Sequence, residues 1–412
     1  MMDAATYTVP PAIDRFRQRA LVVGIVVLLL TAALCFFGGV VQFFRSYLVA
    51  FVFWCGIAVG SLAIMMLHHL SGGAWGLVIR RIFEAATRTL PLLAIAFLPI
   101  IISLFVHPVH DGHAQALYEW SDHDVVARDK ILQEKSIYLN APFFIARYVF
   151  YFVVWGALAY FLNKWSLQQD HTGDPRIRRR MQNLSGPGIL LFGFTVTFAA
   201  VDWVMSLEPH WFSTIFGLLL MAGWGLSAFA FVILVAAYLA RSEPMSNVFQ
   251  PSHFHDYGKL LLAFVMIYAY FAFSQFLIIW SANLPEEIPW YLRRLRGGWE
   301  YVGLALVVLH FALPFVLLLS RDLKRNSRRL VSVAIVVIVM RVVDLIYLVA
   351  PAIHQEGGDP HFSPLDFVTM FGATIGLGGI WLWFFASQLK RRPLLPVNAP
   401  DLDKAIAPAT HH

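Results

Sequence analysis

Ten runs of apolar residues, each close to the length that carries a helix across a bilayer, punctuate this chain. They cover roughly 20–43, 48–70, 89–106, 142–162, 187–206, 212–240, 257–281, 299–319, 330–350 and 365–388. A membrane's hydrocarbon core is about 30 Å thick and needs about 20 helical residues. No water satisfies the backbone inside lipid, so each run must pair its own N–H and C=O groups as a helix. The fold class this predicts is all-α, a polytopic membrane protein of about ten transmembrane helices. The run 212–240 is long enough to tilt, and 89–106 is short enough to lean on its flanks.

Composition agrees with that reading. Only 14% of the 412 residues are charged, against about a quarter in soluble domains. This excludes a soluble enzyme, a disordered chain and a nucleic-acid binder. The formal charge of +6 is instead a topology signal. The N-terminal and C-terminal tails and the loops after spans two, four, six and eight hold 21 of the 31 Lys and Arg residues, the opposite loops hold 7, and Arg147, Lys259 and Arg341 fall within spans. Cations favour the cytoplasmic side, so both termini are expected there. The first run follows a long polar stretch without a small-residue cleavage site, and is expected to stay as an uncleaved span.

Cys35 and Cys55 are the only cysteines, and both lie in apolar runs. They build neither a disulfide framework nor a thiolate metal site. With no C-x-x-C-H motif, an electron carrier must be a diffusible quinone, a histidine-held haem, or a cofactor in another subunit. Two segments exceed a simple turn. Residues 107–141 carry Asp111, Glu119, Asp122, Asp124, Asp129 and Glu134, and residues 163–186 carry a basic run at 176–180 suited to anionic headgroups or a neighbouring subunit. Arg293, Arg294 and Arg296 with Glu286 and Glu287 read as a docking surface or as a solvated loop. The tail 393–412, with four prolines, reads as disordered.

Ionisable groups inside spans are costly and therefore suspect of function. Arg341 and Asp344 share a face of span nine, either as a self-neutralising pair or as a proton site. Asp202 of span five falls on one stripe with Thr195, Phe198 and Ser206, which suits a water chain or plain helix packing. Span seven opens with His253, His255, Asp256 and Lys259 and continues through Tyr268, Tyr270, Ser274 and Gln275. The cluster reads as a proton entry or as interfacial anchoring. The expected path runs from His253, His255, Asp256 and Lys259 along Tyr270 and Ser274 to a shared group of Asp202, Arg341 and Asp344. It leaves by Glu208 and His210. His68, His69 and His310 do not match in depth as haem ligands. His107, His110, Asp111 and His113 have ligand chemistry for a divalent metal, but a hydrogen-bonded loop fits them better. Gly56 with Gly60, and Gly223 with Gly225, read as packing positions.

Four stretches, KSIYLNAPFFIARYVFYFVVW (135–155), VDWVMSLEPHWFSTIFG (201–217), SHFHDYGKLL (252–261) and YFAFSQFLIIWSANLPEEIPWY (270–291), carry a resemblance. They resemble the ActF subunits of bacterial alternative complex III, a quinol:cytochrome c oxidoreductase, within the NrfD or polysulfide reductase membrane-subunit superfamily. The resemblance spans the second to the tenth run. It implies a subunit of the bacterial cytoplasmic membrane with two four-helix bundles, here 48–206 and 212–350, flanked by a first unit at 1–47 and a last span at 351–392. It implies a paralogous membrane subunit (ActC), a periplasmic iron-sulfur subunit and haem c subunits as partners. Haem c and iron-sulfur clusters would then sit in those partners and none in this chain, where a quinone is the one cofactor in question. The implied role is proton conduction or structural support within an electron transport chain. A secondary transporter or ion-coupled carrier is the alternative class, and would show interrupted helices around a midplane site. A lipid-modifying enzyme would need a juxtamembrane catalytic motif that the inner loops lack.

Overall fold

The computed structural model describes residues 7–110, 113–114, 116–352 and 362–406. The protein is all-α and polytopic. Among the described residues ten helices are long and apolar enough to cross a membrane, Ala12–Cys35, Val40–Ser71, Ala74–Ser103, Ala141–Thr172, Pro175–Leu207, Phe216–Leu239, Pro251–Ala282, Trp299–Leu319, Ser327–Ala352 and Pro364–Leu389, and they are numbered here as spans one to ten. A short antiparallel ribbon joins Val109–His110 to His113–Ala114.

Spans two and six form the axis of the molecule. Their apolar windows are 94% and 78% buried, against 17% for spans one and eight. Small residues make the close approach possible. A Cβ at Gly56 would fall 2.3 Å from Trp224 Cδ1, and one at Gly60 would fall 2.4 Å from the Trp224 carbonyl oxygen. The G-x-x-x-G pair of span two is therefore the seat of Trp224 from span six. A second glycine seam joins spans one and ten, where a Cβ on Gly379 would lie 2.3 Å from Ala20 O. Trp54 of span two donates to Thr374 O of span ten at 2.8 Å, fixing that pair to the axis. Leu394 N donates to Tyr7 O at 2.8 Å and Lys390 meets Asp14 at 2.6 Å, so the described segments before span one and after span ten lie on one face, the terminal face.

In three places the fold departs from the sequence reading. Span three begins at Ala74, well before residue 89, and consists of Ala74–Thr87, Leu90–Ala96 and Leu98–Ser103. Pro91 and Pro99 each sit in the first turn of a new piece, where a missing N–H costs nothing. The charged residues Arg80, Arg81 and Glu84 look like a loop in sequence, yet they are buried against one another in the first piece. Residues 163–186 likewise form helix almost throughout. Span four runs to Thr172, Gly173 closes it with φ of 63°, and span five starts at Pro175. The tail is ordered over 393–406. Leu394, Leu395 and Leu402 are buried, Leu402–Ile406 is helical, and Asn398 Nδ2 donates to Asp170 O at 2.6 Å. The prolines restrict this segment without removing its leucine anchors. Residues 407–412 lie outside the described residues.

Span eight carries a local irregularity. Trp299–Ala305 is α-helical, Leu306–Ala312 is a π-helix, and Leu313 N–H reaches back to Val308 O. Pro314 comes next, and its ring cannot sit against the His310 carbonyl in α geometry or donate to it. His310 is thus placed in the one π-helical segment among the described residues.

Candidate functional site

Two buried polar nodes form around the ionisable residues that the sequence places within spans. At the first, Arg147 of span four donates from Nε to Asp202 Oδ2 at 2.8 Å and from Nη2 to Asp202 Oδ1 at 2.9 Å. Tyr151 Oη adds a third bond to Oδ2 at 2.7 Å. Arg147 is further held by Tyr138 O at 2.8 Å and by the Tyr138 ring, whose centroid is 3.8 Å from Cζ. The bidentate fork and the aromatic face use the planar guanidinium in full, which a lysine could not do. Asp202 is 1% exposed. Both of its carboxylate oxygens are engaged by span four.

At the second node, Arg341 Nη1 donates to Asp344 Oδ2 and, at 3.4 Å, to Tyr268 Oη. His310 packs on Tyr268 with ring centroids 4.8 Å apart. Arg341 Nε and Nη2 and His310 Nε2 are buried without a hydrogen-bond partner. Gly223 of span six is what admits this arginine, because a Cβ there would lie 2.3 Å from Arg341 Cζ. Gly223 thus serves the chemistry of the node as well as helix packing.

The expected shared group of Asp202, Arg341 and Asp344 is not what forms. Arg341 and Asp344 come together, while Asp202 belongs to Arg147. Trp155, Trp203 and Trp224, all buried, pack on one another with ring centroids 5.9 to 6.2 Å apart, and the first two also pack on Tyr151 of the first node. Thr195 and Ser206 turn back on the chain, donating to Leu191 O and Asp202 O. Phe198 faces outward. The stripe around Asp202 is therefore a packed surface rather than a line of free hydroxyls.

The expected line of polar residues along span seven does not face inward as a row either. Tyr270 is 66% exposed on the outer surface, and Ser274 shares that side, while Tyr268 and Gln275 face inward. His253 is a structural cap: its Nδ1 accepts from Gln250 N at 3.1 Å and its Nε2 meets Ala405 O at 2.9 Å. Lys259 and Asp256 pair at the surface at 3.2 Å beside half-buried His255. On the face opposite the termini, Glu208 is buried between Arg293 at 2.7 Å and Arg294 at 2.9 Å. Arg294 is 0% exposed and also bonds Leu348 O, so it braces the molecule internally and leaves Arg296 as the one exposed arginine of that segment. His210 bonds Asp129 at 2.5 Å. His107 Nε2 meets Ser121 Oγ at 3.1 Å. The side chains of His110, Asp111 and His113 lie outside the described residues, and no group of three metal-ligating side chains occurs among those described.

A third network was absent from the sequence reading. Glu84, 0% exposed, accepts from Arg80 at 3.0 Å, Arg81 at 2.6 Å, Arg392 at 3.1 Å and Ser166, and Arg81 also pairs with Asp170. It clamps span three to span four and to the tail. The i, i+3 and i, i+4 spacing of Arg81 and Arg80 to Glu84 was the available signal.

No protein-family model matches this chain, and no curated protein matches it either.

Proposed function

We propose that this chain is a membrane subunit of a quinol:cytochrome c, or other acceptor, oxidoreductase, and that it carries protons within that complex. The Arg341–Asp344–Tyr268–His310 node carries this reading. It offers three buried nitrogens without partners, in the middle of spans that are otherwise apolar. Buried polar groups of this kind are completed by water or by a ligand, and intramembrane carboxylates so placed mark proton relays. Arg147–Asp202, closed on all sides by its own partners, is the structural counterpart. The four stretches that resemble ActF support the redox context and its partners: a paralogous membrane subunit, an iron-sulfur subunit and haem c subunits. Quinone is the cofactor the reading allows beside the chain's own residues.

One observation favours the transporter alternative. The π-helical segment of span eight is an interruption at mid-span, the kind of break that accompanies substrate sites. Affinity purification of the tagged chain from its native membrane separates the two readings. The redox reading expects stoichiometric haem c and iron-sulfur subunits and loss of charge translocation, with uncoupled quinol oxidation retained, in the Asp344→Asn complex. A chain that purifies alone and moves a solute in proteoliposomes overturns it.

A further inference from the structure

On the terminal face a cavity of about 250 Å³ opens where span two ends, span three begins and the C-terminal segment folds over both. Its wall is built around Gly72 and Gly73, whose φ values of 70° and 101° favour glycine. Gly76 has no space for a Cβ, because the His68 ring stands 2.0 Å from where it would be. His68 Nε2 in turn meets Gly73 O at 3.1 Å. This tight turn brings Ala74, at the start of a 14-residue helix, to the cavity with no side chain capping the helix end. Uncapped first-turn N–H groups and the positive end of the helix dipole favour an anion.

A second observation is independent of that helix end. His69 lines the same cavity, is 8% exposed, and its buried Nε2 has no hydrogen-bond partner. Arg178 and Lys404 add two positive charges to the wall, and Asp401, which pairs with both, returns one negative charge. The remaining lining cation, Arg80, is matched by Glu84. The wall is left with an excess of positive charge around two sets of unpaired donors.

We propose that this cavity binds a phosphate oxyanion, either the headgroup phosphate of an anionic lipid or a soluble phosphate. The oxyanion accepts hydrogen bonds from the first turn of span three and from His69 Nε2–H, with Arg178 and Lys404 balancing its charge. The volume is below the roughly 300–1,000 Å³ of sites for drug-sized ligands. That suits a phosphate or phosphoglycerol group and is too small for a whole nucleotide. The site lies where span two ends and span three begins, and does not depend on the proton reading.

The test uses the full-length protein, delipidated in dodecyl maltoside. Thermal unfolding and binding are followed with inorganic phosphate, with phosphatidylglycerol, and with diacylglycerol as the phosphate-free control. Phosphatidylglycerol is expected to raise the Tm where diacylglycerol does not; a matching response to inorganic phosphate assigns the soluble source, and its absence assigns the lipid. Arg178 and Lys404 side chains are exposed, so the Arg178→Gln, Lys404→Gln double variant folds, and its apparent affinity should fall about tenfold. His69→Phe keeps the ring and should weaken binding in the same assay. If neither phosphate source shifts the wild type beyond diacylglycerol, or if the variants bind as tightly as the wild type, the site is overturned.

Discussion

Asp202 and Arg147 illustrate how little latitude a buried charge has in a membrane core. Removing one partner of a buried pair strands the other and costs about 3–5 kcal/mol. Asp202→Ala should therefore lower stability by about that amount. Tyr151→Phe, which removes one bond to a charged group, should cost about 1.5–3 kcal/mol. Chemical unfolding in nanodiscs measures both, and equal, negligible losses would mean that Arg147 finds other partners. Asp129 sets a pH dependence outside the spans. Partial burial works against its ionisation, but the His210 bond and the Ile131 and Leu132 amides outweigh this and hold its carboxyl below the ordinary value. A carboxylate depressed in the folded state stabilises above its unfolded pKa of about 3.9 and loses that contribution as pH falls. His210→Gln should accordingly shift the acid unfolding of the 104–140 segment to higher pH, read by limited proteolysis.

Glycines decide where elements may touch, and the helices of this protein use them selectively. Gly223→Ala would drive a methyl into the Arg341 guanidinium, an overpacking that costs about 1–3 kcal/mol. Gly156 of span four has nothing within 4 Å of its Cβ position, so Gly156→Ala should be neutral or stabilise by up to about 1 kcal/mol. Melting temperatures that fall for the first and hold or rise for the second would support this reading, and the reverse order would contradict it. The same contrast explains what the sequence could convey. Hydropathy announces the ten spans because lipid demands about 20 apolar residues from each. It hides the first half of span three, since Arg80, Arg81 and Glu84 neutralise one another only after folding. Arg147 and Asp202 stand 55 residues apart, and nothing local to either names the other. Tyr268 and Tyr270 look equivalent in sequence, and only the packing of spans six, seven and nine shows which one faces inward.

At the scale of the whole molecule, the paired terminal segments and the alternation of the ten helices divide the described connecting segments between two faces. Arg80 and Arg81 are buried on Glu84 and Arg88 bonds Gln388 O, and so the three lose weight as loop charges. Setting those three aside still leaves 18 cations on the terminal face against 7 on the other. Arg293 and Arg294 are moreover engaged by Glu208, which weakens the opposing count further. The positive-inside rule then predicts that the terminal face is cytoplasmic. Ser121 lies on one face, between spans three and four, and Ser327 on the other, at the start of span nine. The native thiols Cys35 and Cys55 are both buried, so a single introduced cysteine reports against a quiet background. In sealed right-side-out vesicles an impermeant maleimide should label Ser121→Cys at once and Ser327→Cys only after permeabilisation. Labelling of both before permeabilisation would break the ten-span topology. The inverse pattern would keep the fold and reverse its orientation, placing the cavity beside His69 in the outer leaflet.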